Sequence, residues 1–507
     1  MPDFGFAIDL KKCIGCHACT IACKAEHEIP IGVNRCWVKS VEKGRFPDTR
    51  RFFFPVLCNQ CADAPCMRIC PTRALFRRRD GIVDLDGESC IGCRACMEAC
   101  PYDQLFIDPN TRTAEKCNFC ANRIENDLLP SCVIVCPTEC RIFGDLDDPL
   151  SDLAHLVQRE AVTVRKPEKG TGPKVFYVAA EASTIQPEIA SRPLIYKEGQ
   201  VILRPLGAPA EDPDAPGDPR VDYDVPHAKP WGLDMALYLL TKSVATGVLF
   251  LSALLWWAGY RNPLTLVVGP AVALGFVTLT AVILVSDLER PERFYYILTR
   301  PNWRSWLVWG SYFLTAHGAV STAWLVAGLM GRPDVLEWLV GSALVVSMLA
   351  TIYTSFLFAQ GLGRDLWQGP FSAIDLTAQA AAAGSAVLLV CAVFLSPPAP
   401  GVERALIRLL GAALVAHLAL LIVENLVATS PTRHHELAVA TIRRGVFAPI
   451  FWSWAIVGGG LVPLALVATG LASASPIVAL AAALLTLAGS FAWEYVWVEA
   501  GQSVPIS

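Results

Sequence analysis

The sequence predicts a two-part protein, an α+β cysteine-rich domain followed by an all-α membrane domain of eight transmembrane helices. All of its 19 cysteines except Cys391 lie before residue 141. Hydrophobic residues make up 53% of the chain and the mean hydropathy is +0.43, both above the averages of soluble proteins. The apolar residues after Pro230 form eight segments long enough to cross a bilayer.

Composition also sets the expected domain boundaries. The stretch from Arg204 to Pro230 is dense in proline, aspartate and glycine, which is typical of linkers that build no packed core. We therefore expect a cysteine-rich domain at 1–190, a linker at 191–230 and a membrane domain at 231–507. The net charge of -4 argues against nucleic acid as a partner. The first residues show neither an apolar signal region nor twin arginines, so we expect no targeting signal.

Sixteen cysteines fall into four groups of four. The first and third groups repeat nearly the same text, CIGCHACTIAC and CIGCRACMEAC, with the C-x2-C-x2-C-x3-C spacing of bacterial ferredoxins. A proline follows the last cysteine in groups two to four, as in ferredoxins, whereas Lys24 follows Cys23. The four groups are Cys13, Cys16, Cys19 and Cys23; Cys58, Cys61, Cys66 and Cys70; Cys90, Cys93, Cys96 and Cys100; and Cys117, Cys120, Cys132 and Cys136.

Disulfides and zinc are the two other uses that such cysteines have. Disulfides suit a small secreted domain, but no signal peptide precedes this one. Structural zinc needs four thiolates per site and would accept C-x2-C pairs, but the repeated triplet is unusual for zinc. At four ligands per cluster, the sequence predicts four [4Fe-4S] clusters. Cys36 and Cys140 fall outside the groups, and we expect them to be buried thiols.

The cysteine-rich part should mix short strands with short helices. Alternating apolar residues predict strands at Phe4–Leu10, Arg51–Leu57, Gly81–Leu85 and Lys174–Ala179. A helix-like pattern covers Ile142–Glu160. Such an α+β texture is that of ferredoxin-like cluster-binding units.

The predicted membrane spans are separated by polar, basic or Pro/Gly-rich text. Tryptophans mark several ends, which suits the aromatic belt of membrane proteins. The predicted limits are Leu233–Ala258, Leu264–Asp287, Trp303–Leu329, Val335–Ala359, Ile374–Leu395, Ala405–Val427, Ala448–Leu471 and Pro476–Val498.

An even number of spans places both termini on one side of the membrane. Loops on that side carry eight arginines: Arg290, Arg293, Arg300, Arg304, Arg364, Arg433, Arg443 and Arg444. The opposite loops carry Arg261, Arg332, Arg404 and Arg408. Eight against four favours a cytoplasmic cysteine-rich domain by the positive-inside rule, unless these arginines serve to dock that domain. Iron–sulfur clusters are assembled in the cytosol, which also favours a cytoplasmic cysteine-rich domain.

Two stretches carry a resemblance to known families. The first part, including CNQCADAPCMRICPTRAL and CVIVCPTECRIFGDLDDP, resembles the electron-transfer subunit of the complex iron–sulfur molybdoenzymes. The second part, with DLERPERFYYILTRPNWRSWLVWG, is similar to the NrfD/PsrC membrane-anchor family. The resemblances cover roughly residues 4–180 and 231–498, which indicates that two subunits are fused in one polypeptide.

The resemblance implies an electron-transfer and membrane-anchor subunit in the inner membrane. It implies a separate molybdopterin catalytic subunit, four clusters in series, and exchange of electrons with a quinone. It also implies the ligand sets, in which the trailing cysteine of each run reaches another cluster. These sets are Cys13, Cys16, Cys19 and Cys136; Cys23, Cys117, Cys120 and Cys132; Cys58, Cys61, Cys66 and Cys100; and Cys70, Cys90, Cys93 and Cys96.

Ionisable residues inside the predicted spans indicate where a quinone would bind. Lys242 is the only lysine after position 230, and Tyr238 lies one helical turn before it. Quinone carbonyls need hydrogen-bond donors, and proton transfer needs a carboxylate. We therefore predict a quinone site near Tyr238, Lys242, Asp287 and Tyr353, with Arg290 keeping Asp287 ionised. A buried structural network of the same residues is the alternative.

Three rival functions remain open at this stage. His317 and His417 fall near the middle of spans three and six and could hold a haem. Lys242, His317, His417 and Glu424 could instead relay protons in a pump. A transporter with a zinc-stabilised domain is the non-redox alternative. Glu337 lies near the opposite membrane face, whereas Asp375, Glu424 and Glu494 lie near the ends closest to the clusters, where solvation alone could explain them.

Overall fold

The structure, a computed structural model, describes residues 2–190, 219–394, 400–473 and 475–507. Its N-terminal part is built on a four-stranded sheet with the strand order Arg141–Asp145, Phe4–Asp9, Val175–Val178 and Val162–Thr163. The strand Phe4–Asp9 lies inside this sheet, antiparallel to the first of these strands and parallel to the third. Its apolar centre is fully buried, and it leads directly into the first cysteine loop.

A second sheet has the strand order Arg220–Tyr223, Cys36–Arg45 and Asp48–Leu57. Two short hairpins, Leu75–Arg77 with Val83–Leu85 and Leu105–Ile107 with Ala114–Lys116, follow the second and third cysteine groups. The four predicted strands are thus confirmed, with small shifts of their ends.

Two predictions about this part are wrong. Residues 142–145 belong to a strand, and only Asp152–Arg159 is helical, because pairing with Phe4–Asp9 overrides the helical pattern. The second error concerns the end of the predicted linker, where Arg220–Tyr223 forms an edge strand. Two aspartates hold that strand, since Trp37 donates to Asp224 at 2.8 Å and Ser40 donates to Asp222 at 3.0 Å. The remainder of the linker prediction, 191–218, lies outside the described residues.

The C-terminal part is helical. Among the described residues, seven helices are long and apolar enough to cross a membrane. We label the long helices α1 (Leu233–Trp257), α2 (Leu264–Ser286), α3 (Trp306–Leu329), α4 (Pro333–Ala359), α5 (Ser372–Phe394), α6 (Gly401–Val427), α7 (Ala448–Gly470) and α8 (Pro476–Ser503). The helix outside the seven is α3, which has 24 residues and a similar length. These helices coincide with the eight predicted spans, although the end of the fifth prediction, Leu395, lies outside the described residues.

The long helices pack in two groups of four. In the first group α1 packs on α2 and α4, and α3 packs on both α2 and α4. In the second group α5 packs on α6 and α8, and α7 packs on both α6 and α8. The two groups meet where α1 contacts α5 and α8. An additional helix, Arg433–Arg443, lies between α6 and α7 and is absent from the sequence-based prediction.

Candidate functional site

The repeated cysteine loops share one backbone shape. Gly15 and Gly92 occupy the same place in the two repeats, and each has a φ of +69°. Two residues later His17 and Arg94 have φ values of +59° and +60°. Glycine adopts such left-handed values without steric cost, so C-I-G-C can turn tightly enough to point several thiols to one side. A short helix, Ala18–Glu26 or Ala95–Ala99, follows each loop.

The loops gather the cysteines in the combinations that the resemblance implies. Three sets of four line a cavity each: Cys58, Cys61, Cys66 and Cys100; Cys70, Cys90, Cys93 and Cys96; and Cys13, Cys16, Cys19 and Cys136. In the fourth set, Cys117 lies within electrostatic range of Cys23, Cys120 and Cys132. The trailing cysteine of one run thus lies beside the leading three of another. Cluster ligation by these sets stays a prediction.

The chemistry of the donors fits a cationic cofactor. Burial raises the pKa of the Cys61 and Cys93 thiols to about 12, and the neighbouring cysteines contribute to the rise. Such thiols hold their protons at neutral pH unless positive charge is placed among them. Iron ions supply that charge and bind the thiolate form. These cavities therefore suit iron–sulfur clusters.

Three basic side chains reach the cysteines, and no sequence motif predicted them. Arg141 is 2% exposed, and its guanidinium donates to Cys36 at 3.1 Å and lies 3.7 Å from the Cys132 sulfur. His27 lies 3.1 Å from the Cys120 sulfur. Lys116, also 2% exposed, donates to the backbone oxygen of Cys117 at 2.9 Å. Positive charge and hydrogen bonds near cluster sulfurs favour the reduced state.

The two remaining thiols of this domain also lie near the cysteine sets. Cys36 and Cys140 are buried, as expected. The Cys140 sulfur lies 3.4 Å from the Cys136 sulfur, and Cys36 contacts the Arg141 guanidinium. Cys140 thus lines the cavity of the first set, and Cys36 lies beside Cys19 of that set.

The cysteine-rich domain rests on the membrane domain through two loops. The first docking loop, residues 287–305, joins α2 to α3. Arg293 donates to the backbone oxygens of Gly87 at 2.7 Å and Cys90 at 2.9 Å. Asn302 donates to the Cys70 oxygen at 2.7 Å. These contacts hold the set of Cys70, Cys90, Cys93 and Cys96 against the helix ends.

The second docking loop, residues 360–371, joins α4 to α5. Arg364 donates to Glu98 at 2.5 Å, and both side chains are almost fully buried. Lys169 of the cysteine-rich domain pairs with Asp365. Burial raises the pKa of Glu98, and Arg364 partly offsets this by favouring the ionised carboxylate.

Aromatic rings connect the third cysteine group to the helices. The Trp231 indole lies at the start of α1, and its Nε1 is 3.4 Å from the Cys93 oxygen. Its ring stacks on Trp367 with 5.6 Å between centroids and meets Phe358 edge-on at 5.3 Å. The rings are buried, and they lie between the cysteine set and the interior of α1 and α4.

Three of the predicted quinone-site residues come together inside the first helix group. The Tyr238 hydroxyl hydrogen-bonds the Tyr353 hydroxyl and lies 3.0 Å from Thr354 Oγ1. Lys242 donates to Thr354 Oγ1 at 2.8 Å and to the Thr351 oxygen at 3.2 Å. Its Nζ lies 5.8 and 5.7 Å from the two tyrosine ring centroids. Lys242 is 0% exposed, so it does not reach the membrane surface.

The absence of a side chain at Gly310 allows the Tyr353 ring to pack against α3. A Cβ at this position of α3 would lie 2.1 Å from the Tyr353 ring. No side chain is tolerated at that distance, so the tyrosine ring lies directly on the helix backbone. The sequence carried no signal for this contact, because the two residues are on different helices.

Asp287 and Arg290 lie elsewhere. Asp287 pairs with Arg94 at 2.5 Å instead of with Arg290, and Arg290 donates to the Thr111 oxygen at 2.9 Å. The expectation that Arg290 holds Asp287 ionised is therefore wrong, because the cysteine-rich domain supplies a nearer cation. Burial raises the pKa of Asp287, with Arg94 acting against it. Both residues serve the docking contact.

The other ionisable residues of the spans divide between the helix groups. His317 lies on α3 near the backbone of Ala245. His417 on α6 pairs with Asp375 of α5 at 2.6 Å, and Gln379 donates to the same carboxylate at 2.7 Å. The two histidines therefore have separate surroundings, and a haem held between them receives no support from this arrangement. Asp375, Gln379, Glu424 and Glu494 line one small cavity.

Comparisons with known proteins agree with this division. A model described as "4Fe-4S dicluster domain" matches residues 49–146, and one described as "Polysulphide reductase, NrfD" matches residues 224–506. A tetrathionate reductase subunit of Salmonella typhimurium is 41% identical over 200 residues, which are 38% of this chain and 80% of the relative. The arsenate respiratory reductase iron–sulfur subunit of a Shewanella species is 35% identical over 34% of this chain and 95% of the relative. A polysulfide reductase polypeptide of Wolinella succinogenes is 39% identical over 36% of this chain and 97% of the relative.

The curated relatives match the first part of the chain, and the NrfD model matches more than half of its length. The first part is thus a ferredoxin-type 4Fe-4S electron-transfer domain, and the second is a multi-pass membrane domain. The chain belongs to the NrfD polysulphide reductase family, and it joins an iron–sulfur electron-transfer subunit to the membrane anchor in one polypeptide.

Proposed function

We propose that this chain relays electrons between a molybdopterin-containing catalytic subunit and the membrane quinone pool through four [4Fe-4S] clusters. The observation that carries the proposal is the contact between the Cys93 loop and Trp231, which starts the helix that bears Tyr238 and Lys242. This contact gives electrons a short route from a cluster to the membrane-embedded site of Tyr238 and Lys242. The relatives named as tetrathionate and polysulfide reductase components support a partner of the reductase class.

The four cysteine sets named above are the proposed ligands of the four clusters. The set of Cys70, Cys90, Cys93 and Cys96 is closest to the docking loops, and we assign it the exchange with quinone. At the other end Cys16 is exposed, and large apolar side chains around the first and fourth groups are exposed as well. Apolar surface of this kind marks a protein contact. These residues, which we propose for the catalytic partner, are Ile14, Ile21, Leu128, Leu129 and Ile134.

The quinone headgroup is proposed to bind between Tyr238, Lys242 and Tyr353. Its two carbonyl oxygens would accept hydrogen bonds from the Lys242 ammonium and a tyrosine hydroxyl, replacing the Tyr238–Tyr353 hydrogen bond. Electrons would enter or leave through the adjacent Trp231 region. In this proposal Asp287 and Arg290 position the cluster domain and do not contact the quinone.

We also propose eight spans, with α3 as the eighth, and a cytoplasmic cluster domain on the inner membrane. Arg290, Arg293, Arg300 and Arg364 contact the cluster domain. Removing these four from the eight arginines on that side leaves four, equal to the four on the opposite side. The remaining arginines favour neither side, so the orientation proposal rests on cluster assembly in the cytosol. Protease digestion of sealed inverted vesicles tests it, since protection of the cluster domain there would reverse the orientation.

The quinone site is tested with Lys242→Met and Tyr353→Phe. We expect turnover with quinone to fall about 10²-fold in Lys242→Met, as when a hydrogen-bond donor to a reacting oxygen is removed. Electron delivery from a soluble dye to the clusters should stay normal in both variants. Tyr312→Phe is the control, because the Tyr312 hydroxyl donates only to the Leu298 backbone at 3.2 Å. Unchanged quinone kinetics in both variants, with full cluster content, would remove this site.

Gly310→Ala tests the same site without changing a polar group. The new methyl group should displace the Tyr353 ring and lower quinone turnover, while the cluster spectra remain those of the wild type. Gly318→Ala on the same helix is the matched control, because its Cβ would make only an ordinary contact at 3.8 Å with Val277. Equal turnover in the two variants would argue against a role for Tyr353.

The cluster assignment is tested by composition and spectroscopy. Four [4Fe-4S] clusters require about sixteen irons and about sixteen acid-labile sulfides per chain, a number that follows from the proposal of four cubanes. Zinc in stoichiometric amount would overturn it and would revive the alternative of a zinc-stabilised transporter. Cys136→Ser should alter the cluster of Cys13, Cys16 and Cys19. Cys100→Ser should alter the cluster of Cys58, Cys61 and Cys66.

A further inference from the structure

The second helix group contains a polar cluster that the proposed electron path does not use. We call Asp375, Gln379, His417, Glu424 and Glu494 the acid cluster. It lies on α5, α6 and α8, and Glu424 belongs to a π-helical turn, Val423–Val427, near the end of α6. Asp375, His417 and Glu494 are 5%, 6% and 1% exposed. Ionisable groups at such depth in a membrane domain indicate function.

The acid cluster has more hydrogen-bond acceptors than donors. One Asp375 oxygen faces His417 and the other accepts from Gln379. The Gln379 Oε1, Glu424 Oε1 and Glu494 Oε1 atoms are buried, and none of them has a hydrogen-bond partner among the described residues. All three side chains line the same small cavity. Unpartnered carboxyl oxygens in a cavity are satisfied by water or by a proton, since either supplies the missing hydrogen bond.

The acid cluster is next to the proposed quinone site. Glu494 lies within electrostatic range of Lys242, of Tyr238 and of Asp375. Helix α8, which carries Glu494, packs against both α1 and α5. Glu494 therefore lies between the proposed quinone site in the first helix group and the Asp375–His417 pair in the second helix group.

The cluster also leads to a particular side of the membrane. Asp375 is in the first turn of α5, directly after the second docking loop. Glu424 is partly exposed, and its Oε1 approaches Gly369 of that loop, where an added Cβ would lie 3.6 Å away. The route from Glu494 to Glu424 thus ends on the side of the membrane that carries the cluster domain.

We propose that the acid cluster is the proton-exchange site of the quinone pocket and opens to the cluster-domain side. The inference rests on the proposed quinone site. Oxidation of one quinol to quinone releases two electrons and two protons. The electrons pass one at a time to the clusters, while each proton passes from the pocket to the Glu494 carboxylate, through Asp375 and His417 to Glu424, and into water. Quinone reduction uses the same groups in reverse.

Two alternatives compete with the proposed proton-exchange site. The Asp375–His417 pair could simply hold α5 to α6. Protons could instead leave through His317 of the first group, toward the opposite face. The first alternative predicts loss of stability without a proton signal, and the second predicts proton exchange on the other side of the membrane.

The test uses Glu494→Gln in the full chain with all clusters loaded. Glu499→Gln is the matched control, because Glu499 is on the same helix and pairs with Lys229 at 2.6 Å outside the cluster. Infrared difference spectra between quinone-oxidised and quinol-reduced protein should show a carboxylic-acid C=O band that shifts in D2O. We expect the band in the wild type and in Glu499→Gln, and its loss in Glu494→Gln.

The second readout is the side of proton exchange. In proteoliposomes of known orientation, a pH dye on the cluster-domain side should respond during quinol turnover. We expect Glu494→Gln to slow this response and quinone turnover about 10²-fold, the usual size of a lost proton-transfer group. An unchanged band and rate in Glu494→Gln, or a dye response on the opposite side only, would overturn the proposal.

Lys242→Met separates this proposal from the one on which it rests. Loss of quinone turnover in Lys242→Met with no effect of Glu494→Gln defeats the proton route and leaves the quinone site standing. Normal quinone turnover in Lys242→Met and Tyr353→Phe defeats the quinone site, and the proton route with it.

Discussion

The two docking loops hold the same domain in different ways. The first loop donates mostly to backbone oxygens of the cysteine loops, as Arg293 does to Gly87 and Cys90, and adds the partly exposed Arg94–Asp287 pair. The second loop uses a buried ion pair between side chains, Arg364 with Glu98, whose exposed fractions are 2% and 0%. Hydrogen bonds to the backbone oxygens of the cysteine loops fix the position of the cluster closely. A buried ion pair, in contrast, costs much free energy to break. The comparison indicates that the first loop places the cluster and the second keeps the domains together.

Both modes are suited to electron transfer. A cluster that moved by a few ångströms would change its distance to the proposed quinone site. Asn302 and Ser305 of the first loop bind the backbone oxygens of Cys70 and Ile69 at 2.7 and 2.6 Å, so the turn before Pro71 is held directly. The first loop thus connects cluster geometry to the start of α3, the helix whose Gly310 supports Tyr353.

The largest expected effect is that of Arg364→Met. Removing one partner leaves Glu98 buried without its cation, which typically costs about 3–5 kcal/mol, so we expect a loss of that size. The measurement is the denaturant or temperature midpoint at which the cluster domain becomes sensitive to protease. Arg261→Met is the control, because Arg261, in the loop between α1 and α2, forms an exposed pair with Glu337 near the start of α4, distant from the cluster domain. A midpoint equal to that of the control would show that the second loop does not hold the domains together.

Arg293→Met should have a smaller effect on stability and a larger one on the cluster. It removes two hydrogen bonds from a charged donor, and we expect a loss of about 2 kcal/mol. The altered environment at Cys90 should change the spectrum of one cluster only. Arg304→Met, an exposed residue of the same loop, is the matched control. If Arg293→Met and Arg364→Met changed the cluster spectrum equally, the distinction between the loops would be lost.

Local sequence explains why part of the fold and part of the candidate site could be predicted. The cysteine sets follow from short repeats, because a cluster loop is built from residues within a few positions of one another. Tyr238 and Lys242 were paired from helical spacing alone. The docking contacts carry no such signal, since Arg94 pairs with a residue 193 positions away and Arg364 with one 266 positions away. Asp287 was assigned to Arg290 because that arginine was near in sequence.

The same limit applies to the acid cluster. Asp375, Glu424 and Glu494 each resemble an ordinary acid at a helix end, and only the packing of three helices brings them to one cavity. The strand Arg220–Tyr223 is a further case, because its partner lies far away in Cys36–Arg45. Local composition predicted the class of each domain, while contacts between domains came from tertiary structure.

The smallest expected effect is a difference in pH dependence between the loops. Burial raises the pKa of Asp287 above its ordinary value, and the single guanidinium of Arg94 does not fully offset it. For Asp365 burial also acts upward, but His434, Lys169 and Thr432 together lower its pKa. A raised native pKa means that the folded protein holds a proton that the unfolded chain has lost, so Asp287 adds stability as the pH falls through that pKa. A lowered pKa has the opposite consequence, and the contribution of Asp365 is complete above its ordinary pKa and is lost as the pH falls through the native one.

Asp287→Asn and Asp365→Asn should therefore change acid sensitivity in opposite directions. From neutral pH down to about 4, the ordinary range of an aspartate, Asp287→Asn should make the weakening of domain contact steeper. Below about pH 4, Asp365→Asn should make the weakening shallower, because the carboxylate whose contribution is lost in that range is already absent. Hydrogen exchange at the two docking loops, followed while the cluster absorption stays intact, measures this contact in each variant. Slopes of the same sign in both variants would mean that the two aspartates have equivalent surroundings, and the contrast between the loops would then be limited to the buried Arg364–Glu98 pair.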